Sequence, residues 1–194
     1  MDDRFAHDAY TIRRKVMTVA GAKFHVYDPQ GQLVGFSKQK AFKLKEDIRL
    51  FTDESMEQEL LTMQARSVVD FGATYDVFDP GANESVGSLR RKGLASMLRD
   101  SWLVFDPDGT EVAAVHEDSA GLAFLRRVHE IFSLIAPQAY RVEQQGRTVA
   151  TYRQNRHPFV QKLAVEFSGD GNGLDRRLGL ATGILLCAIE GRQD

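Results

Sequence analysis

A hairpin written three times in nearly the same residues, and a fourth time in worn form, constrains this 194-residue chain more than any other feature. Phe24-His25-Val26-Tyr27-Asp28-Pro29-Gln30-Gly31 returns as Tyr75-Asp76-Val77-Phe78-Asp79-Pro80-Gly81 and again as Trp102-Leu103-Val104-Phe105-Asp106-Pro107-Asp108-Gly109. Tyr140-Arg141-Val142-Glu143-Gln144-Gln145-Gly146 is the worn copy. Each reads aromatic-x-Val, a turn, then a second β-rich run. Pro29, Pro80 and Pro107 preset φ near -65° at the second turn position. Asp28, Asp79 and Asp106 are placed to accept a hydrogen bond from the turn backbone, and Gly31 and Gly109 tolerate positive φ at its exit. Alternation at Tyr75 and Val77, and at Trp102 and Val104, marks strands with one buried face.

Further strand candidates fill the spaces between copies: Tyr10–Val19, Gly35–Leu44, Ile48–Thr52, Glu59–Val69, Val86–Arg91 and Leu163–Phe167. Many short antiparallel strands along the whole chain predict a mainly β fold, a barrel or a sandwich, rather than α/β. Two segments break the pattern. Over Ser119–Ile135, apolar residues recur at three- and four-residue steps from Leu122 to Ile135, which predicts an amphipathic helix. Leu174–Glu190 starts with Asp175-Arg176-Arg177 and is then apolar on all sides, so this second helix has to be enclosed by protein. Gly179, Ala181, Gly183 and Ala188 keep it slim. No long linker divides the chain, and one domain over 1–194 is the expectation.

A net charge of -2 and a pI near 6.2 argue against a general nucleic-acid binder. The single Cys187 makes no internal disulfide and no thiolate metal cage. The charged start, Met1 to Asp8, has no apolar run behind it and predicts a cytoplasmic protein, at most peripheral to a membrane. Leu178–Ile189 is apolar but short of the ~20 residues of a spanning helix, so no transmembrane span is expected.

The pattern resembles the superfamily that joins LURP-one-related proteins, phospholipid scramblases and the Tubby C-terminal domain. The residues that carry the resemblance are Tyr10-Thr11-Ile12-Arg13-Arg14-Lys15 through Asp28-Pro29-Gln30-Gly31, then Val86-Gly87-Ser88-Leu89-Arg90-Arg91-Lys92, Trp102 to Gly109, and Leu174 to Leu186. It implies a closed antiparallel barrel of about twelve strands around the buried C-terminal helix. Some members engage phospholipids or phosphoinositides, and the family pattern supplies no catalytic residues.

Two basic runs are the candidate sites for an anionic head group: Arg90-Arg91-Lys92, and Arg13-Arg14 with Lys15. The plain alternative sets Arg90 and Lys92 on a solvated strand face, where charge discourages edge pairing. Ser119–Ile135, with Leu122, Phe124 and Leu125 beside Arg126 and Arg127, suits a membrane interface, although packing on a barrel end explains it better. Gly169, Gly171 and Gly173 lack the dinucleotide spacing. Asp170, Asn172 and Asp175 offer too few oxygens for calcium, which takes six to eight. His116-Glu117 and His129-Glu130 lack a second histidine at i+4, leaving no metal site. The expected function is a non-enzymatic module with no cofactor. Its expected partner is an anionic phospholipid surface, a phosphoinositide or a protein, bound outside the barrel. The alternative is a carrier or enzyme with its ligand inside.

Overall fold

A computed structural model of the chain describes residues 2–17, 21–39, 47–66, 72–92, 101–117, 138–155, 161–169 and 173–189. The helix expected over Ser119–Ile135 lies outside the described residues, as do Asp170 and Asn172. A 3-10 turn at Asp3–Phe5 precedes β1 (Ala9–Met17), β2 (Gly21–Tyr27), β3 (Leu33–Gln39), β4 (Asp47–Phe51), β5 (Glu59–Ala65) and β6 (Thr74–Asp79). Then follow β7 (Glu84–Arg91), β8 (Ser101–Phe105), β9 (Glu111–Glu117), β10 (Ala139–Gln144), β11 (Arg147–Asn155), β12 (Gln161–Phe167) and the helix α1 (Arg176–Ile189). The twelve strands form one closed antiparallel barrel in chain order, sealed where β1 pairs β12 with Tyr10 opposite Val165.

All four copies of the repeat are hairpins: β2–β3, β6–β7, β8–β9 and β10–β11. The turn aspartates act as their chemistry requires. Asp28 and Asp106 each accept at Oδ1 from the backbone N–H four residues on, at 2.8 Å. Asp79 accepts from Ala82 N at 3.0 Å. Gly31 and Gly109 take φ of +81° and +82°. The middle copy runs a different turn, and there Asn83 supplies the left-handed residue at φ 52°. In the worn copy Gln145 and Gly146 both have positive φ, as a two-residue hairpin turn demands. These four tips and the Thr52–Gln58 loop lie at one mouth of the barrel, called here the turn mouth.

Alternation sorts each strand into a lumen face and an outer face. In β2, Ala22, Phe24 and Val26 are buried while Lys23, His25 and Tyr27 face out. The lumen is not left open, because α1 runs through it from the turn mouth. Arg177 to Leu186 and Ala188 are all buried along its length.

Close approach explains the small residues. A Cβ at Gly179 would stand 2.2 Å from Phe167 Cε1, and one at Gly183 would stand 2.8 Å from Ile12 Cδ1. Tyr152, fully buried, donates its phenol to Gly179 O at 2.8 Å, and burial pushes its pKa well above the ordinary range. Asp175 caps the helix by accepting from Arg177 N at 2.8 Å. The Arg177 side chain ties the helix start to the β6–β7 hairpin through Asp79 at 2.9 Å and Glu84 at 2.5 Å.

Two measurements test this enclosure. Gly179→Ala favours an isolated helix by roughly 1 kcal/mol, yet here its methyl meets the Phe167 ring. Urea unfolding should show a net loss of about 1–3 kcal/mol. Cys187 is half-buried against the core, and burial pushes its thiol up to about 12 against the opposing charge of Arg14. Its protonated form therefore favours the folded chain. That contribution is whole below about pH 8.5, where the unfolded thiol titrates, and is lost as pH climbs toward 12. Iodoacetamide at pH 8 should alkylate the native chain about 100-fold more slowly than the urea-unfolded chain. Equal rates would mean that α1 does not stay in the barrel.

Candidate functional site

The strand register separates residues that the sequence runs together. In β1, Arg13 faces out and is exposed, while Arg14 faces the lumen at 8% exposure and donates Nη1 to Gln161 Oε1 at 2.9 Å. Lys15 faces out again. The run Arg13-Arg14-Lys15 is thus two outward cations with a buried one between them. In β7, Arg90 is exposed, with its guanidinium 4.7 Å from the centroid of the Phe105 ring. Arg91 stands opposite Trp102 on the lumen-facing row and is half-buried, and Lys92 is exposed just past the strand end. Both runs lie toward the mouth opposite the hairpin tips. However, β1 and β7 are six strands apart in either direction around the ring, so the two runs form no common site.

Charge as a guard against edge pairing does not account for β7. In the closed barrel it is laddered to β6 on one side and β8 on the other, and offers no edge there.

The register also assembles a basic wall that no stretch of sequence displays. Lys15 stands opposite Lys23, and Lys23 opposite Lys38, so three lysines share one outer row across β1, β2 and β3. The next row toward the turn mouth sets Lys162 of β12 opposite Arg13, and Arg13 opposite His25. Arg13, Lys15, Lys38 and Lys162 are exposed and make no ion pair with a described residue. The Arg13 guanidinium lies 5.6 Å from the centroid of the Tyr27 ring. Like charges directly opposite each other cost roughly 0.2–1 kcal/mol per pair. Counting out from the Asp28–Gly31 turn would set Lys23 opposite Ser37; a bulge at Val26/Tyr27 shifts the register by one and brings Lys38 there instead. The β12–β1 pairing joins the two ends of the chain, and no local signal announces it.

Among the described residues, one acid is ion-paired to this wall. The Thr52–Gln58 loop is closed at its base by Thr52 N donating to Gln58 O at 3.0 Å and is held inside by Asp53 Oδ1 accepting from Ser55 N at 2.8 Å. Its Glu54 reaches His25 Nε2 at 2.9 Å and Lys23 Nζ at 3.0 Å. Those two donors hold the Glu54 carboxyl below the usual range.

A cleft of about 290 Å³ opens at the turn mouth beside Phe5 and Leu60. Its three acids are each engaged by arginine: Asp2 with Arg4, Glu59 with Arg49, and Asp79 with Arg177. Among the described residues, no group of three histidine, cysteine or acidic side chains is placed to hold a metal ion. No helix among them is long and apolar enough to cross a membrane.

A closed twelve-strand barrel around one helix, with a basic outer wall, defines a class of protein before any comparison is made. The chain belongs to the LURP-one-related family, whose model matches residues 35–186. Its fold is similar to the X-ray structure of an Arabidopsis thaliana protein, with a TM-score of 0.52 at 14% identity, covering 98% of this chain and 97% of that one. At that identity the likeness speaks for the fold alone. No curated protein matches the sequence significantly.

Proposed function

We propose that the protein is a non-enzymatic module that binds anionic phospholipid or phosphoinositide head groups on the outer wall of its barrel. The block of Arg13, Lys15, Lys38 and Lys162 carries this reading: four exposed cations in adjacent rows, none paired with a described acid. A cation held near an anionic bilayer contributes about 1 kcal/mol. An anionic surface would also relieve the mutual repulsion of the lysine row. The alternative of a carrier or enzyme with its ligand inside the barrel meets a lumen already occupied by α1.

The test is co-sedimentation with vesicles of phosphatidylcholine, phosphatidylserine or phosphatidylinositol 4-phosphate, at low and moderate salt. Binding is expected with the two anionic compositions only, and should weaken as salt screens it. Replacing Lys15, Lys38 and Lys162 together by alanine should lower affinity at least about tenfold. Replacing Arg90 and Lys92, on the far side of the barrel, should change it less than about twofold. The reverse outcome would move the site to β7. Absence of binding to any anionic vesicle would refute the reading and redirect the search to an acidic protein partner.

A further inference from the structure

Glu54 sits where an anionic ligand of the basic wall would sit, and the geometry of its contacts is that of a bound oxyanion. Lys23 Nζ takes one carboxylate oxygen at 3.0 Å and His25 Nε2 takes the other at 2.9 Å. An ionised carboxylate only accepts, so both nitrogens donate. Two converging charge-assisted donors, one for each oxygen of a single group, serve a phosphate as well as a carboxylate.

The two donors are also fixed independently of Glu54. The Lys23 ammonium lies 5.6 Å from the centroid of the Phe36 ring, and the His25 ring packs 5.1 Å from that same ring. Phe36, on the outer face, is only 1% exposed. The cradle is thus built on a buried aromatic floor in the middle of the wall. The loop that fills it keeps its shape through the Thr52–Gln58 backbone bond and the Asp53 carboxylate accepting from Ser55 N, rather than through Glu54.

We propose that Lys23 and His25 form the phosphate subsite of the wall, and that Glu54 of the Thr52–Gln58 loop is a built-in competitor that a head-group phosphate displaces. This rests on the wall being the binding face. Exchange needs no rearrangement of the barrel, because the Glu54 side chain is exposed and the loop lies outside the strands. The same loop carries Met56, 40% exposed, an apolar side chain that would lie beside the head groups and reach toward the acyl boundary.

The test is Glu54→Gln on the full chain, assayed by the same vesicle co-sedimentation. Affinity for phosphatidylinositol 4-phosphate vesicles should rise about fivefold, and adding Lys23→Ala or His25→Ala to Glu54→Gln should abolish the gain. Glu111→Gln changes net charge equally on β9, five strands from β2 around the ring, and should leave affinity unchanged. Inorganic phosphate should compete with the vesicles more effectively against Glu54→Gln than against the natural chain. If it competes equally against both, or if Glu111→Gln matches Glu54→Gln, the effect is net charge and the subsite is refuted. Unchanged or weaker binding by Glu54→Gln refutes it too. If Lys15, Lys38 and Lys162 matter in that case, the wall stands and only the subsite falls. If no variant binds any anionic vesicle, the wall and the subsite fall together. Thermal melting of each variant keeps misfolding apart from lost affinity, and Glu54→Gln should melt with the natural chain.

Discussion

Leu178, Leu180, Ile184, Leu185 and Leu186 leave α1 in different directions and all are buried, so this helix needs a sleeve rather than a single packing face. A twelve-strand ring supplies one, provided that the helix stays thin. Gly179 and Gly183 lie one helical turn apart on the side that meets Phe167, Ile12 and Tyr152, and neither site admits a methyl without movement. The wall makes a matching concession. At Gly87, with φ +139°, a Cβ would stand 2.2 Å from Phe105 O and 3.2 Å from Leu178 Cδ1. Small residues on both surfaces thus set the distance between helix and wall.

The same constraint governs where polar groups enter the lumen. Arg177 is 9% exposed, but its guanidinium is met by Asp79, Glu84 and Asp175 at the turn mouth, so its charge is balanced where it is desolvated. At the other mouth Arg14 faces inward, close enough to Cys187 for its charge to oppose the burial of that thiol. Cations flank the two ends of α1, and the apolar residues occupy the length between. With the helix in the lumen, the described surfaces open to solvent are the outer wall and the cleft at the turn mouth.

Legibility in the sequence followed the range of each interaction. The turn aspartates, Gly31, Gly109 and the alternation of Tyr75 with Val77 act within one hairpin, and the structure uses them as the sequence implies. The enclosed helix was legible because an all-round apolar surface admits few other fates. Strand ends were read less well: β12 begins at Gln161 rather than Leu163, and β7 at Glu84 rather than Val86, because polar residues at strand ends do not disturb the ladder. The basic wall was hidden for a different reason. Lys15, Lys23, Lys38 and Lys162 are neighbours only through the register of β12, β1, β2 and β3, whereas consecutive cations such as Arg13 and Arg14 are sent to opposite faces by the pleat.

Adjacency in sequence is therefore the wrong guide to charge density on a barrel, and the question becomes which cations have a structural reason to stand together. Arg90 has one, since its guanidinium covers the Phe105 ring. Lys38 has another: among the described residues β3 and β4 share one ladder pair, Phe36–Phe51, and a lysine beside that seam discourages pairing with another strand. Lys23 has the Phe36 ring, 5.6 Å from its ammonium, and Lys15 has none of this kind among the described residues. They stand opposite each other in the continuous β1–β2 ladder, where repulsion works against the fold and closure leaves no edge to protect. Among the described residues the fold offsets that repulsion at Lys23, by bringing Glu54 across from the β4–β5 loop. A ladder position that repels its neighbour, partly neutralised by an acid on a separate loop, fits a surface held ready for a negative charge from outside.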